Sequence, residues 1–244
     1  MGIMMNQNSK PQITEIIDAM KSPGKWNNLR MTQAQKIAEK IEKTKSEQFA
    51  EYVDDVFMSV CEELNVFEMA RDWAKKSPAE KLAVAGNIVK RFVTRVQSDA
   101  QSGRAKKYND RAVDSVPKIS VSRADDGQMS VSPRGAVNVN PNFRYYDNLI
   151  NFLMDLRHES AHIVDIFFPG LSPLDTDIRD LSMAFYIKPN EDMNLYKQNP
   201  LEMNANMRRR EFGNKLQEKI ALREYARIQR LVGDARARGV LRGH

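Results

Sequence analysis

His158-Glu159-Ser160-Ala161-His162 sets two histidines four residues apart, with a glutamate directly after the first. Four residues is just over one helical turn, so on a helix both imidazoles leave the same face. Two imidazoles so placed fill two positions of a tetrahedral zinc ion. A catalytic site then needs a third protein ligand and one position left for water. A carboxylate beside the first ligand lies next to that water without binding the metal. It can take a proton from the water and later hand it to a leaving amine. His158 and His162 are therefore the candidate metal ligands, and Glu159 is the candidate general base. The chain has three histidines, the other being His244, so two of the three stand at ligand spacing. The surroundings agree. Leu149, Ile150, Leu153, Leu156, Ile163 and Ile166 supply the buried face of a helix. Small Ser160 and Ala161 sit between the histidines, where bulk could crowd the metal.

The third ligand is sought downstream, in Asn199-Pro200-Leu201-Glu202-Met203-Asn204-Ala205-Asn206. With the His158–His162 motif, this stretch resembles zincin metallopeptidases that carry a glutamate on a later helix in Pro-x-Glu-x-x-Ala or Glu-x-x-Ala-Asn. Peptidases of the ImmA/IrrE type, and phage-encoded and toxin-like bacterial metallopeptidases, are of this kind. The metzincin subclass is excluded, because its third histidine would fall at Phe168. The resemblance implies one zinc ion per chain, Glu202 as its third ligand and a protein as substrate. It implies an endopeptidase in which Glu159 activates the zinc-bound water, with a bacterial effector or toxin as one origin. It also implies a substrate-pairing edge strand before the motif, at Val137, Asn138 and Val139, which would take an extended peptide by backbone hydrogen bonds. The resemblance covers roughly residues 119–214.

Other readings of these residues stay open. Asn199, Pro200 and Glu202 also spell a capping box, in which Glu202 serves only the helix start. Asp165 is the alternative ligand. It shares the histidines' face, but three ligands on one straight helix seldom close a tetrahedron, so orienting a histidine N–H suits it better. Asp155 has the same possible use with less support. Tyr186 and Tyr196 are candidate hydroxyl donors to a tetrahedral oxyanion. Val137–Val139 reads equally as a plain structural strand.

The elements that must position these groups follow from periodicity. Ile13, Ile16, Ile17 and Met20 recur at helical spacing, and Ser22-Pro23-Gly24 ends that stretch. Thr32 with Gln35 caps a second helix carrying Ile37, Ile41, Phe49, Val53, Phe57 and Val60. Ser77-Pro78-Ala79-Glu80 opens a third, with Ala85, Ile88, Val89, Phe92, Val93 and Val96 on one stripe. Residues 101–114 read as a linker. Period-two runs at Ile119–Val121, Met129–Val131 and Val137–Val139, separated by turns, predict an antiparallel meander. A helix is expected from Asp147, as N-cap, to Phe168. A shorter one is expected over residues 175–185, and a long one from Pro200 past Leu231 with a bend at Gly213. Residues 234–244 read as a frayed tail. The fold class is thus α+β and predominantly helical. A helical region occupies residues 1–105, and a zincin-like domain with a small antiparallel sheet occupies residues 106–244.

Composition bounds the rest. No apolar run is long enough for a transmembrane segment. The start of the chain has no signal-peptide pattern. The expected location is the cytoplasm, or outside it after export or injection without a cleaved signal. A single cysteine, Cys61, excludes an internal disulfide and a thiolate zinc finger. Residues 205–244 hold eleven Arg and Lys against four Asp and Glu, although the whole chain is only +6. Arg208, Arg209 and Arg210 lead this region, and Lys215, Lys219, Arg223 and Arg227 continue it as one stripe. Such a stripe is either a solvated face or a docking surface for an acidic partner, nucleic acid or an anionic membrane. Two alternatives to the peptidase follow. One is a protein that binds nucleic acid or an acidic partner beside an inactive metal site. The other is an interaction module with structural zinc.

Overall fold

The computed structural model describes residues 43–102, 118–168 except 126 and 128, 171, 172, 174, 179, 182, 183, 186–207 and 209–238. They form a predominantly helical α+β fold with one small sheet. The expected helix at Ile13–Met20, the break at Ser22-Pro23-Gly24 and the Thr32–Gln35 cap lie outside the described residues. So do most of the expected linker and most of residues 175–185. No described helix is long and apolar enough to cross a membrane.

α1 (Lys43–Glu63) buries Phe49, Val53, Phe57 and Val60 on one face. α2 (Pro78–Gln101) starts where its local chemistry requires. The Glu80 N–H donates to Ser77 Oγ at 3.3 Å, and the Ser77 N–H donates to Glu80 Oε2 at 2.8 Å. These two bonds satisfy backbone donors that a helix start otherwise leaves orphaned. The backbone bond from Ser77, with further help from the Ser77 hydroxyl and Lys76, holds the Glu80 carboxyl down to about 2. Phe57 stands edge-on to Phe92, and this contact joins the two helices.

β1 (Ser120–Arg123), β2 (Met129–Val131) and β3 (Ala136–Val139) fall where the alternation places strands. Their arrangement differs from the expected meander. The order is β1-β3-β2. β1 runs parallel to β3 with Ser120 opposite Ala136, and β2 runs antiparallel with Met129 opposite Val139. The sheet is therefore mixed, and β3 is its central strand. Val137, Asn138 and Val139 are paired on both sides, so the expectation that they form a substrate-binding edge is corrected. Period two sets which face of a strand is buried and leaves its neighbours open. The turn into β3 needs Gly135. Its φ is +87°, and a Cβ there would meet Ile119 Cδ1 at 3.1 Å and the Lys118 carbonyl at 3.3 Å.

α3 (Leu149–Phe167) carries the His158–His162 motif. Its N-cap is Asn148 and not Asp147. Asn148 Oδ1 accepts from the Ile150 N–H at 2.8 Å, while Asp147 receives Lys81 Nζ at 2.8 Å. α4 (Met193–Gln198), α5 (Pro200–Asn206) and α6 (Arg209–Ala237) complete the chain. The single long helix expected from Pro200 is broken near Met207, where the Met207 N–H closes on the Asn204 carbonyl at 3.3 Å. Gly213 lies within continuous helix, and residues 234–237, expected to fray, are helical. Gly213 serves a close approach: a Cβ would stand 2.7 Å from Met154 Sδ of α3.

Two compact units divide the chain. One comprises Lys43–Pro173 and Asn204–His244. Its core joins Phe57 and Phe92 to Val137, Val139, Phe152, Leu156 and Phe212, so α1, α2, the sheet, α3 and α6 share one interior. Trp73 donates its indole N–H to the Tyr146 carbonyl at 2.9 Å within that core. The other unit has Leu174–Met203 as its described part. There Asp192 Oδ1 caps α4, accepting from the Asn194 and Leu195 N–H groups at 2.9 and 3.1 Å. Asn199 caps α5 through Oδ1 to the Leu201 N–H at 2.9 Å, and its Nδ2 donates to the Ser182 carbonyl at 2.9 Å.

Candidate metal centre

α3 is buried on nearly all sides around the motif. Asp155, Arg157, His158, Glu159, Ser160, His162 and Asp165 are all inside. Buried polar groups persist when they are paired, and α3 shows how. Arg157 Nε donates to Asp54 Oδ1 of α1 at 2.8 Å. Its Nη1 donates to the Ala205 carbonyl of α5 at 3.2 Å, and its Nη2 to the Ala50 carbonyl at 3.3 Å. Ser160 Oγ returns to the Leu156 carbonyl at 2.8 Å. Asp155 accepts from the Tyr146 hydroxyl at 2.9 Å and forms an ion pair with Arg209.

His158 and His162 meet edge to face, with ring centroids 4.7 Å apart and their Nε2 atoms 3.0 Å apart. Buried His158, His162 and Glu202 each offer one ligand atom, and these atoms lie within 4.8 Å of one another. The spacing suits a bound metal ion. Two nitrogens bound at about 2.0–2.1 Å with tetrahedral angles stand about 3.3 Å apart, close to the observed Nε2 separation. Two imidazoles and a carboxylate leave a fourth position free.

The capping-box alternative for Glu202 meets a competing bond. The Asn199 N–H, which such a box would send to Glu202, donates to the Tyr196 carbonyl at 3.1 Å. The Glu202 carboxylate instead accepts from the Tyr186 hydroxyl at 2.7 Å. Tyr196 stands edge-on to Tyr186, with centroids 6.0 Å apart. Both tyrosines singled out as oxyanion donors thus belong to the surroundings of Glu202.

Asp165 is not one of the three grouped ligands. Its Oδ1 accepts from Ser172 Oγ at 2.5 Å, and both its oxygens accept from Asn204 Nδ2, at 3.0 and 2.8 Å. Burial pushes its carboxyl up to about 6, against the opposing pull of the Ser172 and Asn204 hydrogen bonds. Asn204 lies two residues after Glu202, and this bond ties the C-terminal end of α5 to α3. Glu159 is buried one residue after His158. Burial, and then the charge of Glu159, raise the Tyr146 phenol far above its ordinary range.

Arg157, Asn204 and Tyr146 were not singled out from sequence. Arg157 adjoins His158 and Asn204 falls in the Glu202 stretch, so adjacency was the available signal. The cationic stripe also resolves. Lys215 pairs with Asp54 at 3.2 Å, Lys219 with Glu62, and Arg223 with Glu68 at 3.0 Å. Arg227 pairs with Glu224 at 3.3 Å. Arg210 is exposed, and Arg208 lies outside the described residues. The stripe's acidic counterparts are thus the chain's own carboxylates. Comparison of the chain with known protein families, characterised proteins and solved structures finds no match, so the chemistry of this centre rests on its own residues.

Proposed function

We propose that the chain is a zinc-dependent endopeptidase acting on a protein substrate, in which His158, His162 and Glu202 hold the metal and Glu159 is the general base. The observation that carries this reading is the buried group of two imidazoles and one carboxylate. It is a donor set of catalytic zinc sites, with a glutamate directly after the first imidazole. Zinc, when bound, polarises the scissile carbonyl and lowers the pKa of the attacking water. Glu159 takes a proton from that water at its carboxylate and delivers it to the departing amine. The Tyr186 hydroxyl holds the Glu202 carboxylate in its rotamer. Asn204, clasped by Asp165, fixes the backbone that carries Glu202. Because β3 is paired on both sides, an extended substrate has only the outer strands β1 and β2 to add to.

Metal analysis tests the reading first. Purified chain is expected to hold near one zinc, and His158→Ala/His162→Ala to lose it. A native protein without zinc affinity would sink the proposal. Glu159→Ala is expected to keep the metal and abolish cleavage, and proteolysis that survives this change refutes the assigned base. Glu202→Gln is expected to weaken zinc far more than Asp165→Asn. The reverse order reassigns the third ligand.

A further inference from the structure

The second half of α6 is turned inside out. Leu222, Tyr225, Ile228 and Leu231 are 59%, 63%, 47% and 52% exposed. Lys219, Arg223 and Arg227 face the other way. Lys219 and Arg223 pair with Glu62 and Glu68, the Arg223 guanidinium lies 5.4 Å over the Phe67 ring, and Arg227 lines the same cleft. At about 100° per residue, Ala221, Tyr225, Ile228 and Val232 fall within about 60° of one another, opposite that cationic arc. On this face Ala221, Tyr225 and Ile228 are exposed and Val232 is half-buried, and exposed apolar surface of this kind marks an interaction site.

Charge decides the occupant. An anionic surface would need the arc of Lys219, Arg223 and Arg227 outward, and these three are turned to the chain's own carboxylates. The rim of the apolar face carries two other charges, Glu218 and Arg236, and neither forms an ion pair among the described residues. They are five helical turns apart, so they share one angular position on the same flank. When two identical helices pack antiparallel, the same flank of each meets the other. Glu218 of one copy then faces Arg236 of the second, and two-fold symmetry repeats the pair. Within one residue of that register Tyr225 meets Ile228 and Ala221 meets Val232, so the apolar residues fill the seam while the charges set orientation.

We infer that a second copy of this chain docks antiparallel on α6, through Ala221, Tyr225, Ile228 and Val232 with reciprocal Glu218–Arg236 pairs. Sedimentation velocity of the full chain over a concentration series tests it. The expected result is a species of twice the 28.0 kDa chain mass that dissociates on dilution. Ile228→Glu is expected to shift it to the single-chain mass with unchanged helical circular dichroism. Glu218→Arg and Arg236→Glu are each expected to weaken the dimer, and the two reversals combined to restore it. Three results would overturn the inference: single-chain mass at every concentration, a dimer indifferent to Ile228→Glu, or charge reversals that fail to rescue each other. A monomer that co-sediments with phosphatidylserine vesicles through α6 assigns the face to lipid and also overturns it. Zinc content of the same variants is expected to stay unchanged, so failure here leaves the metal reading standing.

Discussion

α3 and the second half of α6 depart from the ordinary helix pattern in opposite senses. Around the motif, α3 encloses two histidines, two aspartates, a glutamate and an arginine. Beyond Leu216, α6 turns Leu222, Tyr225, Ile228 and Leu231 to the outside. In α3 the buried polar groups have partners on α1 and α5, so the helix is defined by what the rest of the fold sends to meet it. In α6 Lys219 and Arg223 have found those partners, while Leu222, Tyr225, Ile228 and Leu231 stay exposed. A helix's two faces differ in both cases, but the amphipathic pattern alone does not say which face turns inward. The available counter-groups do.

Substitutions can break this contrast, and the largest effect belongs to the interior. Asp54→Ala leaves Arg157 charged and buried. It is expected to cost about 3–5 kcal/mol, as losing one member of a buried pair does, read as a lower midpoint in urea unfolding. A midpoint within error of wild type would mean that Arg157 finds another partner. At the seam of the two helices, Gly213→Leu is expected to cost about 1–3 kcal/mol by overpacking against Met154. Met154→Ala in the same chain should recover part of that loss, and no recovery places the strain elsewhere. Asn204→Ala strips the Asp165 carboxylate of a donor, with an expected cost of about 1–3 kcal/mol. It should also weaken zinc by about 10–100-fold, the usual range for groups that orient ligands, measured by chelator competition. Unchanged zinc affinity would show that α5 holds Glu202 without the clasp. At the small end, Ile228→Glu is expected to stay within about 0.5 kcal/mol in the dissociated chain, as exposed positions do. A large loss there would mean that the residue is packed intramolecularly.

The same contrast explains what could be read from the amino acids. The start of α2 at Ser77 was legible because its bonds span three residues. The strands were legible too, but their order was not, because alternation is blind to which strand lies alongside. The three grouped residues were named in advance, His158 and His162 by spacing and Glu202 by resemblance. What surrounds them was hidden. Arg157 finds Asp54 across 103 residues and Asn204 finds Asp165 across 39, and nothing local distinguishes such side chains from solvated ones. The break near Met207 has neither Gly nor Pro to announce it. Asn148 outcompeted Asp147 for the cap because Lys81, far earlier in the chain, claims the aspartate.

The Asp165 carboxylate has one more consequence. It receives Ser172 and Asn204 together, so the chain leaves and returns through a single anchor. In sequence, Leu174–Met203 interrupts the unit that holds both of these donors. Lengthening such a segment costs little, about 0.6 kcal/mol per doubling, provided the last turn before Asn204 is kept. The exposed turn at residues 188–191, between Tyr186 and the Asp192 cap of α4, is thus the place for a tag or reporter to be spliced, with the clasp and the Tyr186–Glu202 bond left intact.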